Sequence, residues 1–116
     1  MSDAYLMGID IGAGSLKTMI VDGNGTVRGS ASAELRTSSP RPGWSEQDPA
    51  DWWRALCATV PGALAQAGLK AGDVAAIAFS AGAHTPVLED AQGQVIRPAI
   101  LWSDARSGAE SRELQE

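Results

Sequence analysis

Between Gly8 and Gly25 the chain reads GIDIGAGSLKTMIVDGNG, and its polar residues fall where a phosphate site could be built. Asp10 interrupts an apolar run, Gly12-Ala13-Gly14-Ser15 follows, and Lys17 lies near the start of a second apolar run that begins at Leu16. Loop glycines let backbone N–H groups crowd around an anion with no Cβ in the way. Ser15 adds a hydroxyl donor and Lys17 a cation. Asp10, read as the end of a buried strand, is costly unless a cation or donors compensate it. A hydrated Mg²⁺ beside a nucleotide phosphate would do so. The competing reading is a tight hairpin with a partly exposed Asp10 and nothing bound. This stretch alone leaves the two readings level. A dinucleotide-binding turn is excluded, because the third glycine position holds Lys17 and the next residues, Thr18 to Asp22, read as a strand rather than a helix.

Further candidates lie in the second half. His84 follows a small-residue apolar strand, and its imidazole can donate to or accept from a hydroxyl; a structural hydrogen bond is the plainer role. Asp104 and Arg106 follow another apolar run, where loops tend to carry binding groups. Asp104 can accept from hydroxyls or cap the last helix, and Arg106 reads as structural, paired to a carboxylate. Trp44 lies in a loop and is a candidate stacking surface, whereas Trp52 and Trp53 read as packing residues.

The elements that must position these groups are legible in outline. Tyr5–Ile11, Leu16–Asp22 and Thr26–Leu35 read as strands. The Asp22-Gly23-Asn24-Gly25 turn makes the last two antiparallel, since Asn and Gly tolerate the positive φ of such turns. Thr37 to Gln47, rich in Ser, Pro and Gly, is a loop. A helix opens at Asp48-Pro49-Ala50-Asp51, with Asp48 as cap and Pro49 in the first turn. Its expected apolar face is Trp53, Leu56, Cys57, Val60 and Leu64. Pro61 predicts a kink or break and Gly68 a stop. Asp73–Ser80 reads as a strand returning beside the first. Pro86–Glu89 and Gln94–Arg97 flank a second hairpin turn at Asp90-Ala91-Gln92-Gly93, Pro98–Trp102 is a further apolar run, and Asp104–Glu116 reads as a polar helix. Three antiparallel strands, a helix, then a returning strand imply a ribonuclease-H-like α/β unit.

The totals bound the class. At 116 residues, 44% hydrophobic and 20% charged, the chain is one ordinary globular domain. A net charge of −5 argues against a nucleic-acid or anionic-membrane partner. No apolar run approaches a membrane span. Met1-Ser2-Asp3 lacks the basic start of a secretory signal. The single cysteine, Cys57, excludes an internal disulfide and fits a cytoplasmic setting. The last helix lacks a stop signal, which predicts that the chain is part of something longer.

Three collinear segments carry a family resemblance. Gly8-Ile9-Asp10-Ile11-Gly12 resembles the first phosphate loop of the sugar kinase, actin and heat-shock chaperone superfamily. Trp44-Ser45-Glu46-Gln47-Asp48-Pro49 with Trp52-Trp53, and Arg97 to Arg106 (RPAILWSDAR), resemble segments of FGGY carbohydrate kinases, xylulose kinases above all. An actin- or chaperone-like ATPase would share the first loop but leave the other two segments unexplained. The resemblance implies ATP and Mg²⁺ as cofactors and transfer of the γ-phosphoryl to a hydroxyl of a small sugar or polyol such as xylulose. Asp10 matches the acid that organises the metal, and Gly12, Ala13, Gly14, Ser15 and Lys17 fall on the nucleotide loop. Ala13 replaces the usual Thr and removes one hydroxyl contact. Ala83 and His84 fall on a Met-His pair that contacts sugar, and Asp104 on a sugar-contacting acid. The smaller Ala83 leaves room for a different substrate. The implied general base and adenine-binding domain lie beyond position 116, so the chain is expected to be the partial N-terminal, sugar-binding domain, inactive alone. No nucleic-acid or membrane partner is implied, and a homodimer is allowed. A non-catalytic sugar- or phosphate-binding module is the alternative.

Overall fold

The computed structural model describes residues 4–116, so the Met1-Ser2-Asp3 reading lies outside the described residues. The chain divides into two compact units, one formed by residues up to Leu35 with Ala50–Ala81, the other by Arg36–Pro49 with Gly82–Glu116.

The first unit is a four-stranded sheet with one long helix. Strands β1 (Tyr5–Ile11), β2 (Ser15–Val21) and β3 (Val27–Glu34) pair antiparallel in sequence. The β2–β3 turn is built as its residues dictate. The Asp22 carboxylate accepts from the Asn24 and Thr26 N–H groups at 2.9 and 3.0 Å, and Gly25 sits at φ 81°. Helix α1 (Pro49–Ala67) then carries the chain across the sheet, and after a short 3₁₀ turn β5 (Val74–Ala81) pairs parallel to β1. The order is therefore β3-β2-β1-β5, as the returning strand predicts.

Alternation along β1 and β2 puts Met7, Ile9, Leu16, Thr18 and Ile20 on one buried face. Helix α1 covers it with Trp52, Ala55, Leu56, Thr59, Val60, Ala63, Leu64 and Ala67, a strict three- and four-residue spacing. The expected helical face holds at Leu56, Val60 and Leu64 and is corrected at Trp53 and Cys57, which are exposed; small residues share the contact line. The reason is close approach: a Cβ on buried Gly29 would lie 2.3 Å from the Ala63 carbonyl oxygen, so helix and strand nearly touch. Pro61 does not break α1; it lies on the exposed side, where the carbonyl it leaves without an N–H partner can meet water. Gly68 ends the helix at φ 68°, with its own N–H donating to the Ala65 carbonyl and that of Leu69 to the Leu64 carbonyl.

The second unit holds little regular structure. Short strands β4 (Glu46–Gln47) and β6 (Ala99–Ile100) pair antiparallel, and α2 (Gly108–Glu113) closes the chain. Two expectations shrink. The Asp90–Gly93 turn forms, with the Asp90 carboxylate accepting from the Gln92 and Gln94 N–H groups at 2.9 Å. Its flanking strands, however, reduce to one bridge between Glu89 and Val95, because Val87, Leu88, Val95 and Ile96 stay exposed with no layer over them. The last helix begins at Gly108 rather than Asp104, because the Asp104 carboxylate is taken by Arg106 and Ser45.

Candidate functional site

The candidate residues fall into two groups, one per unit. Asp10, Gly12, Ala13, Gly14, Ser15 and Lys17 belong to the first; Ala83, His84 and Asp104 belong to the second.

In the first unit, Gly12-Ala13-Gly14 links β1 to β2. The Gly12 N–H donates to the Ser15 carbonyl at 2.9 Å, closing the turn, so that amide is not bare as the phosphate reading expects. The Gly14 carbonyl accepts from the Leu35 N–H at 3.0 Å. Neither glycine has positive φ, so the turn geometry does not itself demand glycine. A Cβ at Gly12 would come within 3.1 Å of the Ser15 oxygen, whereas one at Gly14 would meet nothing within 4 Å. Gly12 is thus explained by the turn; Gly14 faces open space and leaves room for an approaching group.

Asp10 corrects one premise of the sequence reading. It is exposed, because alternation along β1 points it away from the face that α1 covers. No burial cost therefore calls for compensation. Lys17 is its cross-strand partner in the β1–β2 ladder and is also exposed, yet the two form no ion pair. Both line a cavity of about 360 Å³ together with Gly8, Met19, Ala78 and Ser80. An unpaired carboxylate and ammonium at the rim of one cavity can serve a ligand carrying both a cation and an anion. Among the described residues no cluster of three or more His, Cys, Asp or Glu could cage a metal. A lone carboxylate fits Mg²⁺, which keeps most of its waters and takes phosphate oxygens as well.

In the second unit, His84 sits at φ 54°, a left-handed conformation that costs a non-glycine residue about 1–2 kcal/mol. It is exposed and has no hydrogen-bond partner among the described residues, so the plainer role of a satisfied structural histidine finds no support. Ala83 beside it is exposed, its carbonyl accepting from the Thr85 hydroxyl at 3.1 Å.

Asp104 is differently placed. Its side chain is only 3% exposed. Oδ1 accepts from the Arg106 N–H and Nε at 2.9 Å, and Oδ2 from the Ser45 N–H and Arg106 Nη2 at 2.7 Å. Those four donors fill a carboxylate's acceptor sites. A sugar hydroxyl could bond this group only by displacing one of them. The Arg106 hydrogen bonds hold the carboxyl well below the ordinary carboxylate range, with burial opposing and the Ser45 N–H assisting. Arg106 Nη2 also reaches Glu46 Oε2 at 2.9 Å, which Arg97 Nη2 meets at 2.7 Å. Two carboxylates and two guanidinium groups thus compensate one another. The Arg106 guanidinium carbon lies 3.7 Å from the centre of the Trp44 ring, and that of Arg41 at 5.1 Å. Arg106 is structural, as the sequence implies, and the stacking partner of Trp44 in this structure is a guanidinium.

Sequence reasoning missed Ser45 and Glu46 as members of this cluster and did not single out Trp102. Glu46 stood only inside a motif, and nothing local signals its pairing with arginines 51 and 60 residues away. Trp102 is 69% exposed although it directly follows buried Leu101.

The sheet order and the helix crossing it define a class, the ribonuclease-H-like α/β fold. The chain superposes on the crystal structure of xylulose kinase from Rhodospirillum rubrum with a TM-score of 0.89 and 36% identity, over 96% of this chain and 23% of that one. Residues 5–116 match the FGGY family of carbohydrate kinases, N-terminal domain, and the chain belongs to that family. It is 42% identical over 104 residues to a glycerol kinase of Methylibium petroleiphilum, covering 89% of this chain and 21% of that protein. It is 38% identical over 113 residues to a xylulose kinase of Staphylococcus xylosus, covering 97% of this chain and 23% of the relative. The chain thus spans less than a quarter of the length of these relatives. The emphasis on xylulose kinases is widened, since glycerol kinases stand among the relatives too.

Proposed function

We infer that this chain is the N-terminal, substrate-binding part of an ATP-dependent kinase that phosphorylates a hydroxyl of a small polyol or ketose. The observation that carries the reading is the Asp10–Lys17 ladder pair, which makes no ion pair among the described residues, beside an open Gly14, in a chain whose residues 5–116 match the family's N-terminal domain. Phosphoryl transfer asks a protein mainly for positioning and charge neutralisation. Lys17 and the Ser15 hydroxyl supply positive and donor groups for phosphate oxygens. Asp10 would hold the waters of Mg²⁺, and bound Mg²⁺ supplies neutralisation of the polyphosphate charge. His84, strained and unpartnered beside the small Ala83, is offered to a substrate hydroxyl. Asp104 serves that substrate indirectly, by fixing the segment between Trp102 and Arg106. The general base and the adenine site belong to the remaining length of the family polypeptide.

Glycerol and xylulose, named for relatives, are the first substrates to try, followed by other ketoses and polyols. A panel assayed on the full-length enzyme carrying this domain tests the reading. ATP-dependent phosphorylation of one member is expected, with Asp10→Asn lowering kcat by roughly a hundredfold or more. Binding of a panel member without transfer would favour the non-catalytic module, and near-normal turnover of Asp10→Asn would remove Asp10 from the metal role.

A further inference from the structure

The strand registers align a row of polar residues that the sequence does not place together. Ser32 on β3 faces Lys17 on β2, Lys17 faces Asp10 on β1, and Asp10 faces Ser80 on β5. Ladder partners share a sheet face, so this row lies on the side opposite α1. Only the last three of the four line the 360 Å³ cavity, where Gly8 and Ala78 are the small residues beside Met19 and Phe79. Ser32 is outside it. Ser80 is exposed, and its hydroxyl makes no hydrogen bond among the described residues.

We propose that Ser80 is a further phosphate-binding residue, its hydroxyl donating to an oxygen of a magnesium polyphosphate held between Lys17 and Asp10. The proposal rests on the kinase reading above and extends it to β5, beyond the glycine loop. The chemistry is complementary across the row. Lys17 offers a cation to the phosphate, Asp10 a carboxylate to the metal's waters, and Ser80 a neutral donor on the far side of Asp10. A hydroxyl there can donate to phosphate while accepting from a metal-bound water. Gly8 and Ala78 leave room: larger side chains in their place would stand on the same face in the neighbouring row.

The test is a titration of the full-length enzyme carrying this domain with magnesium tripolyphosphate, followed through the NMR shifts of selectively labelled backbone amides. The amides of Gly14, Ser15, Lys17 and Ser80 are expected to move together with one apparent Kd. Ser80→Ala should weaken that Kd roughly tenfold, the loss of one hydrogen bond to a charged group. Ser80→Thr, which keeps the hydroxyl and suits a strand, should restore it, and Ser32→Ala should leave it unchanged. If the loop amides shift while Ser80 stays still and Ser80→Ala titrates like the parent, the Ser80 assignment falls and the phosphate loop stands. If no amide shifts at millimolar ligand, the phosphate-loop reading fails and the assignment with it.

Discussion

The two compact units are held by different physics. The first is an apolar contact between a sheet face and α1, in which Leu16, Ile20 and Ala63 are fully buried. Its polar exceptions are Thr18 and Thr59, hydrogen-bonded to each other at 2.9 Å. The second has two-residue strands and is tied by the Glu46–Arg97–Arg106–Asp104 cluster. Hydrophobic burial needs extended periodic surfaces and is indifferent to direction. A charge-assisted cluster can fix a few loop residues where no such surface exists, because bidentate guanidinium bonds are directional. The difference teaches that the phosphate-loop candidates ride on a layered core, whereas the segment carrying Trp102 depends on compensated charges.

That contrast can be broken most severely from the apolar side. Gly29→Val should cost about 3 kcal/mol, because a Cβ would run into helix backbone that cannot swing away. Chemical denaturation should show it as a lowered midpoint. Next in size, Arg106→Met should leave Asp104 and Glu46 without their shared guanidinium. We expect a lowered thermal midpoint and, specifically, a change in the fluorescence of Trp44, whose ring loses its cation. Arg106→Lys should restore the charge but not the fork, and so only part of the stability. An unchanged Trp44 signal in the Met variant would mean the cluster does not order that loop.

Acid sharpens the comparison. The folded Asp104 carboxyl is depressed, so its contribution is complete above the unfolded carboxylate range, near pH 4, and is lost as pH falls through the lower folded value. The stability gap between the parent chain and Asp104→Asn should therefore be flat from about pH 8 to 5 and narrow only below about pH 4. A gap that closes near neutrality would contradict the ion-paired geometry. The smallest effect belongs to the buried hydroxyl pair. The Thr59 hydroxyl donates to the Ala55 carbonyl at 2.9 Å, so Thr18 must be the donor between the two. Thr18→Val should cost about 1 kcal/mol. Adding Thr59→Val should cost less than a second independent loss, and a double-mutant cycle measures the coupling.

How much of this was legible follows from the range of each signal. The β1–β3 meander could be read because turn residues act locally: Asp22 caps its own turn and Gly25 takes the positive φ. The ends of α1 could be read from Pro49 and Gly68 for the same reason. Its face could be read only in part. Leu56, Val60 and Leu64 pack as expected, but Trp53 and Cys57 are exposed and the most buried line is Ala55, Thr59 and Ala63, because Gly29 lets the helix come close. Site residues divide similarly. Asp10, Lys17 and the glycines were visible as residue types, whereas the exposure of Asp10 depended on which sheet face α1 covers. Asp104 was visible as an acid after a strand, but its saturation by Ser45 and Arg106 was not.

The amino-acid order alone settled the four strands of the first unit, the turns and the ends of α1, since dihedral preferences and periodicity operate over a few residues. It also settled the family, through three segments in fixed order. Tertiary structure decided which groups are spoken for and which stand free. It gave Asp104 the Ser45 N–H from 59 residues away, left Asp10 and Lys17 without an ion pair among the described residues, and brought Ser80 beside Asp10. The physical reason is that hydrogen-bond saturation and exposure belong to neighbours in space, and the chain brings those neighbours from distant positions only once it has folded.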